Sequence, residues 1–198
     1  PADVDSITEA AFPADGAVDF VPDADQLSVF SVVAERRQER GGVEADDLPR
    51  LVTIRIERNL WLGPRADSGA VLAEGDEVEF AAWGPVRATD GDTIRFGESL
   101  LAVGERYVGG LLMSTGSFGI YPGSVAASNG ESVTLGEDGW MFAVGRDDAT
   151  ATIERLVEEV DAAAPDPRIA HTGMTSDAFF ALDPWERVLA IARTTSTD

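Results

Sequence analysis

The stretch Leu100–Met113 constrains the fold more than any other part of the chain. It reads Leu-Leu-Ala-Val-Gly-Glu-Arg-Tyr-Val-Gly-Gly-Leu-Leu-Met. It is the densest apolar run, and a polar corner, Gly104-Glu105-Arg106, breaks it in two. It reads as the central strand of a small β-barrel, with the corner feeding Tyr107–Met113 into the core. Tyr107 and Leu111 are then expected to be buried.

Flanking segments carry the same signal. In Gln26–Glu35, Leu27, Val29, Ser31 and Val33 alternate with Ser28, Phe30, Val32 and Ala34, so both faces are fairly apolar. Leu51–Leu62 alternates more strictly, with Val52, Ile54 and Ile56 on one face and Thr53, Arg55 and Glu57 on the other. Gly75-Asp76 opens a strand over Glu77–Trp83. Asp90-Gly91 predicts a hairpin turn between Val86–Ala88 and Thr93–Phe96. Strands follow at Phe118–Tyr121 and around Val125, and Asn129-Gly130 predicts a type I′ turn into Ser132–Leu135. Trp140–Val144 is expected to be a short strand or a plug.

Past this point the period changes. Ile153, Leu156, Val157 and Val160 lie at helical spacing, which predicts a helix over residues 149–163 with Asp147 or Asp148 as N-cap. Ser176–Leu182 reads as a short helix. Asp183-Pro184-Trp185-Glu186 has an acidic N-cap, proline at the first helical position and glutamate at the third. The helix it starts is expected to bury Trp185, Val188, Leu189 and Ala192. Strands followed by helices imply an α+β, mainly β fold. The predicted organisation is a lead-in over residues 1–19, an OB-like antiparallel β-barrel over 20–145, and a helical extension over 146–198. Two or three C-terminal helices are expected to pack on the barrel.

Composition excludes several functions. The 198 residues are enough for a core without staples, since a chain of this size buries roughly 70% of its unfolded surface. There is no cysteine, so disulfides and thiolate metal sites are excluded. Fifteen basic residues, all arginine, face 36 acidic ones, for a net charge of −21. Such a surface repels phosphate backbones and anionic lipid, so no nucleic-acid partner is expected. A lysine-free chain has neither a P-loop lysine nor a Schiff-base lysine. No apolar run reaches the roughly 18 residues of a membrane span, and no direct membrane insertion is expected. The chain starts Pro1-Ala2-Asp3, which reads as a processed or trimmed start and implies an extracytoplasmic address.

Together, Asp23-Ala24-Asp25-Gln26-Leu27-Ser28-Val29-Phe30, the Leu51–Leu62 strand ending at Gly63, Gly75-Asp76-Glu77-Val78, Val103-Gly104-Glu105-Arg106-Tyr107-Val108 and the final Asn-Gly hairpin resemble a known pattern. It is that of the OB-like β-barrel domains of uncharacterised bacterial secreted and cell-surface proteins. More distantly, residues 20–136 are similar to netrin-like (TIMP-like) modules. The resemblance implies a nearly closed five-stranded barrel, a corner at Gly104–Arg106 and an extracytoplasmic address. It implies no catalytic residue, and no metal or cofactor is expected. Gly109-Gly110 departs from the pattern, standing where bulky apolar residues are expected.

Candidate chemistry is sparse. His171 is the only histidine and, with Asp177 and a nearby serine, has the residue types for general-base hydrolysis. No Gly-x-Ser-x-Gly elbow accompanies it. The carboxylates Asp23/Asp25, Asp46/Asp47, Asp90/Asp92 and Glu137/Asp138 have the hard oxygens that Ca²⁺ prefers, but none matches a D-x-[DN]-x-[DN]-G loop. A carboxylate pair across a cleft is the signature of glycosidases. The aromatics Trp61, Trp83, Tyr107, Phe118, Tyr121 and Trp140 fill a core or form a stacking face. Trp61 and Tyr121, beside Gly63-Pro64 and Pro122-Gly123, are the candidate ligand-binding residues. The leading expectation is a non-enzymatic binding or structural domain whose partner is another envelope protein or a glycan. The alternatives are a hydrolase using His171 or a carboxylate pair, and a Ca²⁺-dependent surface module.

Overall fold

The computed structural model describes residues 16–37, 50–66, 69, 71–82, 86–87, 93–94, 101–114, 117–120, 124–134, 142–144, 150–164 and 167–195. The strands are β1 (Gln26–Arg37), β2 (Arg50–Leu62), β3 (Glu77–Ala82), β4 (Val86–Arg87), β5 (Thr93–Ile94), β6 (Arg106–Ser114), β7 (Ser117–Ile120), β8 (Ala126–Ser128), β9 (Ser132–Thr134) and β10 (Thr150–Thr152). The helices are α1 (Ala17–Asp23), α2 (Ile153–Asp161), α3 (Pro167–His171), α4 (Ser176–Phe180) and α5 (Pro184–Thr195).

The main sheet is antiparallel and open, in the order β10-β9-β8-β6-β1-β2-β3, with β7 also paired to β6. Strands β4 and β5 form the separate small hairpin expected around Asp90-Gly91, a turn that lies outside the described residues. The two long strands β1 and β2 pair over nearly their whole length. Three register shifts interrupt that ladder, and such bulges bend and twist a strand pair.

Burial on both faces of β1 follows from its sequence. Residues 26–30 are all buried, and their side chains divide by parity between two cores. Phe30 and Val32 join Val52, Ile54 and Ile56 of β2, Phe80 of β3, and Tyr107 and Leu111 of β6; Phe118 and Ile120 of β7 pack against them. Leu27 and Val29 face the other way, into a second core with Val108, Phe20 of α1, Phe142, and Ile153, Leu156 and Val160 of α2. Tyr107 and Leu111 are buried as expected, at 5% and 1% exposure.

The glycine pair of β6 makes room for side chains. A Cβ on Gly110 would overlap a ring carbon of Phe20 and lie 3.1 Å from Ser124 Oγ. One on Gly109 would lie 3.0 Å from Phe30 and from Val125. The bulky residues that the resemblance leads one to expect are therefore supplied by α1 and β1 instead.

Several boundaries differ from expectation. The apolar run is not one strand: Leu101 is buried, Val103 is 55% exposed, and residues 102–105 form a turn whose Gly104 has φ of +90°. Strand β6 begins only after it. The helix expected over 149–163 starts later, because Thr150-Ala151-Thr152 pairs with β9 first. Thr152 Oγ1, not an aspartate, then accepts from the Arg155 N–H as the cap. The Asn129-Gly130 loop is held by its side chain rather than by a two-residue turn. Asn129 Oδ1 accepts from the N–H groups of Glu131 and Ser132, each at 2.9 Å. Of the alternatives for residues 140–144, Phe142 acts as a plug, fully buried in the second core.

Candidate functional site

Among the described residues, the densest buried polar cluster lies where β1 begins, and its side chains come from three separated parts of the chain. Helix α1 contains Pro22 and ends at Asp23, and the backbone then turns through Ala24 and Asp25 into β1. The Asp25 N–H donates to the Leu111 carbonyl at 2.9 Å, and its own carbonyl accepts from Gly63 at 2.7 Å. These bonds pin residue 25 between the ends of β2 and β6. The Asp25 side chain is consequently held inside, at 1% exposure. Its Oδ2 accepts from the Met113 N–H at 2.7 Å.

Opposite stands Arg187 of α5, with no exposed surface at all. Its Nη2 donates to Asp25 Oδ1 at 3.3 Å, and its Nη1 donates to the Pro22 carbonyl. Arg65 closes the group, with Nε 3.7 Å from Asp25 Oδ1 and Nη1 donating to the Met113 carbonyl at 3.4 Å. Burial pushes the Asp25 carboxyl above the ordinary carboxylate range, while the Met113 N–H and the two guanidiniums pull it back. Burial lowers Arg187, and the charges of Asp25 and Asp23 oppose that shift. A guanidinium does not lose its proton in proteins, so Arg187 remains a cation facing two carboxylates.

A second polar group adjoins the first along β1. Gln26 Oε1 accepts from Leu72 N–H at 2.6 Å, and Gln26 Nε2 donates to Ser28 Oγ at 2.8 Å. Ser28 donates to Asn59 Oδ1 at 2.7 Å, and Asn59 Nδ2 donates to the Leu72 carbonyl at 2.9 Å. The loop at Leu72 is thus fixed to β1 and β2. Neither group has the paired nucleophile and base of covalent catalysis. Their chemistry is that of anchors, joining elements through charge and amide hydrogen bonds.

The residues singled out by sequence fall elsewhere. Trp61 is half-buried, and its ring packs against Phe20 with centroids 5.6 Å apart. Its Cη2 also lies 3.1 Å from where a Gly63 Cβ would stand. Trp61 therefore covers the backbone junction at residues 24–25. Tyr121, Trp83 and Trp140 lie outside the described residues. Tyr107 is core, its hydroxyl accepting from the Ala102 N–H at 2.9 Å, and Phe118 is half-buried against the same core.

His171 ends α3 and is exposed, and Asp177 is exposed in the first turn of α4. Among the described residues no hydrogen bond reaches the imidazole. Of the carboxylate pairs, Asp23/Asp25 faces Arg187, and the other three lie outside the described residues. Among the described residues no three acidic or histidine side chains gather to hold a metal ion.

Arg187 is the residue that sequence reasoning missed. The expected buried face of α5 named Trp185, Val188, Leu189 and Ala192, whereas Arg187 and Ile191 are the buried side chains described there. Of the expected four, Leu189 is half-buried, and the other three side chains lie outside the description. An arginine within a helix reads as solvent-facing unless its acidic partner, here 162 residues away, is known. No family model matches the chain, and no curated protein or solved structure matches it.

Proposed function

We propose that the chain is a non-enzymatic extracytoplasmic domain, built on an OB-like barrel, that binds or supports another envelope protein or a glycan. The observation that carries the non-catalytic reading is the use made of buried polar side chains. Among the described residues these are Asp23, Asp25, Gln26, Ser28, Ser124 and Arg187. Each faces the backbone, side chain or charge of a different part of the fold; Ser124 Oγ, for instance, accepts from Gly110 N–H at 2.8 Å. Groups committed to holding the fold are not available to a substrate.

The barrel reading is supported by proximity and by the shared core. Strands β3 and β7 approach each other without a described ladder between them. Passing from β1 through β2, β3, β7 and β6 returns to β1, around one apolar core to which all five contribute. That succession is the one expected of a partly open five-stranded Greek-key barrel. The extracytoplasmic address rests on the resemblance of residues 20–136. The net charge of −21 supports a partner other than nucleic acid.

The test has two arms. Chromogenic ester, amide and glycoside substrates are expected to turn over no faster with the purified chain than in buffer, with or without His171→Ala. Turnover that His171→Ala abolishes would overturn the non-catalytic reading in favour of the hydrolase. Fractionation of cells expressing the full-length gene is expected to place its product outside the cytoplasm, and recovery in the cytosol contradicts the address.

A further inference from the structure

The C-terminal helices are not an extension of the sheet's own cores. Ile169 of α3, Phe179 of α4 and Ile191 of α5 form a third apolar cluster, with Met174, Phe180 and Ala190 packed against it. Among the described residues every member comes from residues 169–191, and no strand contributes. Helix α2 behaves differently, since its Ile153, Leu156 and Val160 belong to the core shared with β1 and β6. Helix α5 packs on α1 and β6, and it carries a wholly buried side chain, Arg187, that is charged.

We propose that α3–α5 form a cap that undocks from the sheet as a unit, with the Arg187 guanidinium between Asp25 and the Pro22 carbonyl as its latch. Three features distinguish such a junction from ordinary core packing. The cap keeps its own apolar cluster when it leaves, so undocking exposes less apolar surface than unfolding does. The latch is directional: its bonds to Asp25 and Pro22 are lost together once Arg187 withdraws. The docked state also carries a standing desolvation cost, because Arg187 Nε is buried and has no hydrogen-bond partner among the described residues. Water returns that cost on undocking, as it does for any buried ion pair.

Opening in cooperative subglobal units is the usual way in which a fold with separate clusters fluctuates. Here it would uncover the Asp25 carboxylate, the Pro22 carbonyl and the Met113 end of β6. Arg65 would remain beside Asp25, so the carboxylate is not left without a counter-charge. The sheet's two cores would stay closed, since among the described residues no member of either comes from α3, α4 or α5.

Native-state hydrogen exchange of the full chain in increasing urea tests this. Amides at Phe179, Arg187 and Ile191 are expected to exchange at least tenfold faster than those at Ile54 and Val108, through an opening with a smaller urea dependence. Arg187→Gln is expected to accelerate the cap amides at least tenfold further, still through the opening of smaller urea dependence, while Ile54 and Val108 keep the larger urea dependence of global unfolding. Equal protection with equal urea dependence in both regions overturns the proposal, as does an Arg187→Gln chain whose cap amides exchange only with the urea dependence of Ile54 and Val108. Should Arg187→Gln fail to fold, the wild-type comparison still decides. Arg187→Lys, which keeps the charge and loses the fork, then serves as the variant, and cap amides left unmoved by it overturn the latch.

Discussion

Strand β1 and helix α5 are both buried, and they are buried by different chemistry. Strand β1 sends apolar side chains to both faces, Leu27 and Val29 into one core and Phe30 and Val32 into the other. Helix α5 sends Ile191 into a small cluster of its own and a guanidinium toward the sheet. Apolar burial is non-directional and scales with area, whereas the buried ion pair depends on a few bonds. The first region should therefore yield gradually to truncation, and the second abruptly to the loss of one partner.

The largest effect is expected in the framework. Phe20 is fully buried, fills the notch at Gly110 and touches Trp61 and Phe142. Phe20→Ala should cost about 3–5 kcal/mol in urea unfolding, as a large aromatic truncation. Leu111→Ala should cost about 2–5 kcal/mol by the same mechanism. A negligible loss at either would mean that the β1–β6 pair is not the centre of the fold.

Truncation inside the cap should register less. Ile191 is 9% exposed in a cluster of few members, so Ile191→Ala should cost about 2 kcal/mol, at the low end for such changes. It should leave the urea midpoint of the sheet, followed by a strand-specific probe, nearly in place. An equal shift of both regions would erase the distinction between them.

The smallest effect belongs to the exposed ion pairs on the sheet. Arg36 donates to both oxygens of Glu79, at 2.8 and 2.6 Å, and holds that carboxyl below its ordinary value of 4.5. A depressed folded pKa contributes stability above pH 4.5 that is lost as pH falls through the folded value. An NMR titration should therefore find Glu79 below the ordinary range. Arg36→Gln should return it there with little change in stability, as expected for a solvated pair.

Legibility in the sequence follows the same division. The framework was readable because its signals are local: alternation in Leu51–Leu62, turn glycines at 75 and 104, and helical spacing at Ile153, Leu156, Val157 and Val160. Strand ends were less so. Nothing in Thr150-Ala151-Thr152 announces that β9 will pair with it before the helix begins. The glycine pair at 109–110 was visible as an oddity, but its reason, the ring of Phe20, lies 90 residues upstream of Gly110. The Asp25–Arg187 anchor was illegible for a related reason. Asp25 read as half of an acidic pair with Asp23, and Arg187 as one more charged residue on a helix. Only the fold brings them together, and it commits to structure a carboxylate pair that sequence alone offered to Ca²⁺.

A double-mutant cycle on Asp25 and Arg187 tests most directly whether the buried polar groups serve as anchors. Asp25→Asn, Arg187→Gln and the double variant are compared with the parent by urea unfolding. The account predicts that each single change destabilises by about 3 kcal/mol, and that the double variant loses less than their sum by at least about 1 kcal/mol. Additive losses, or single changes that cost nothing, would contradict it.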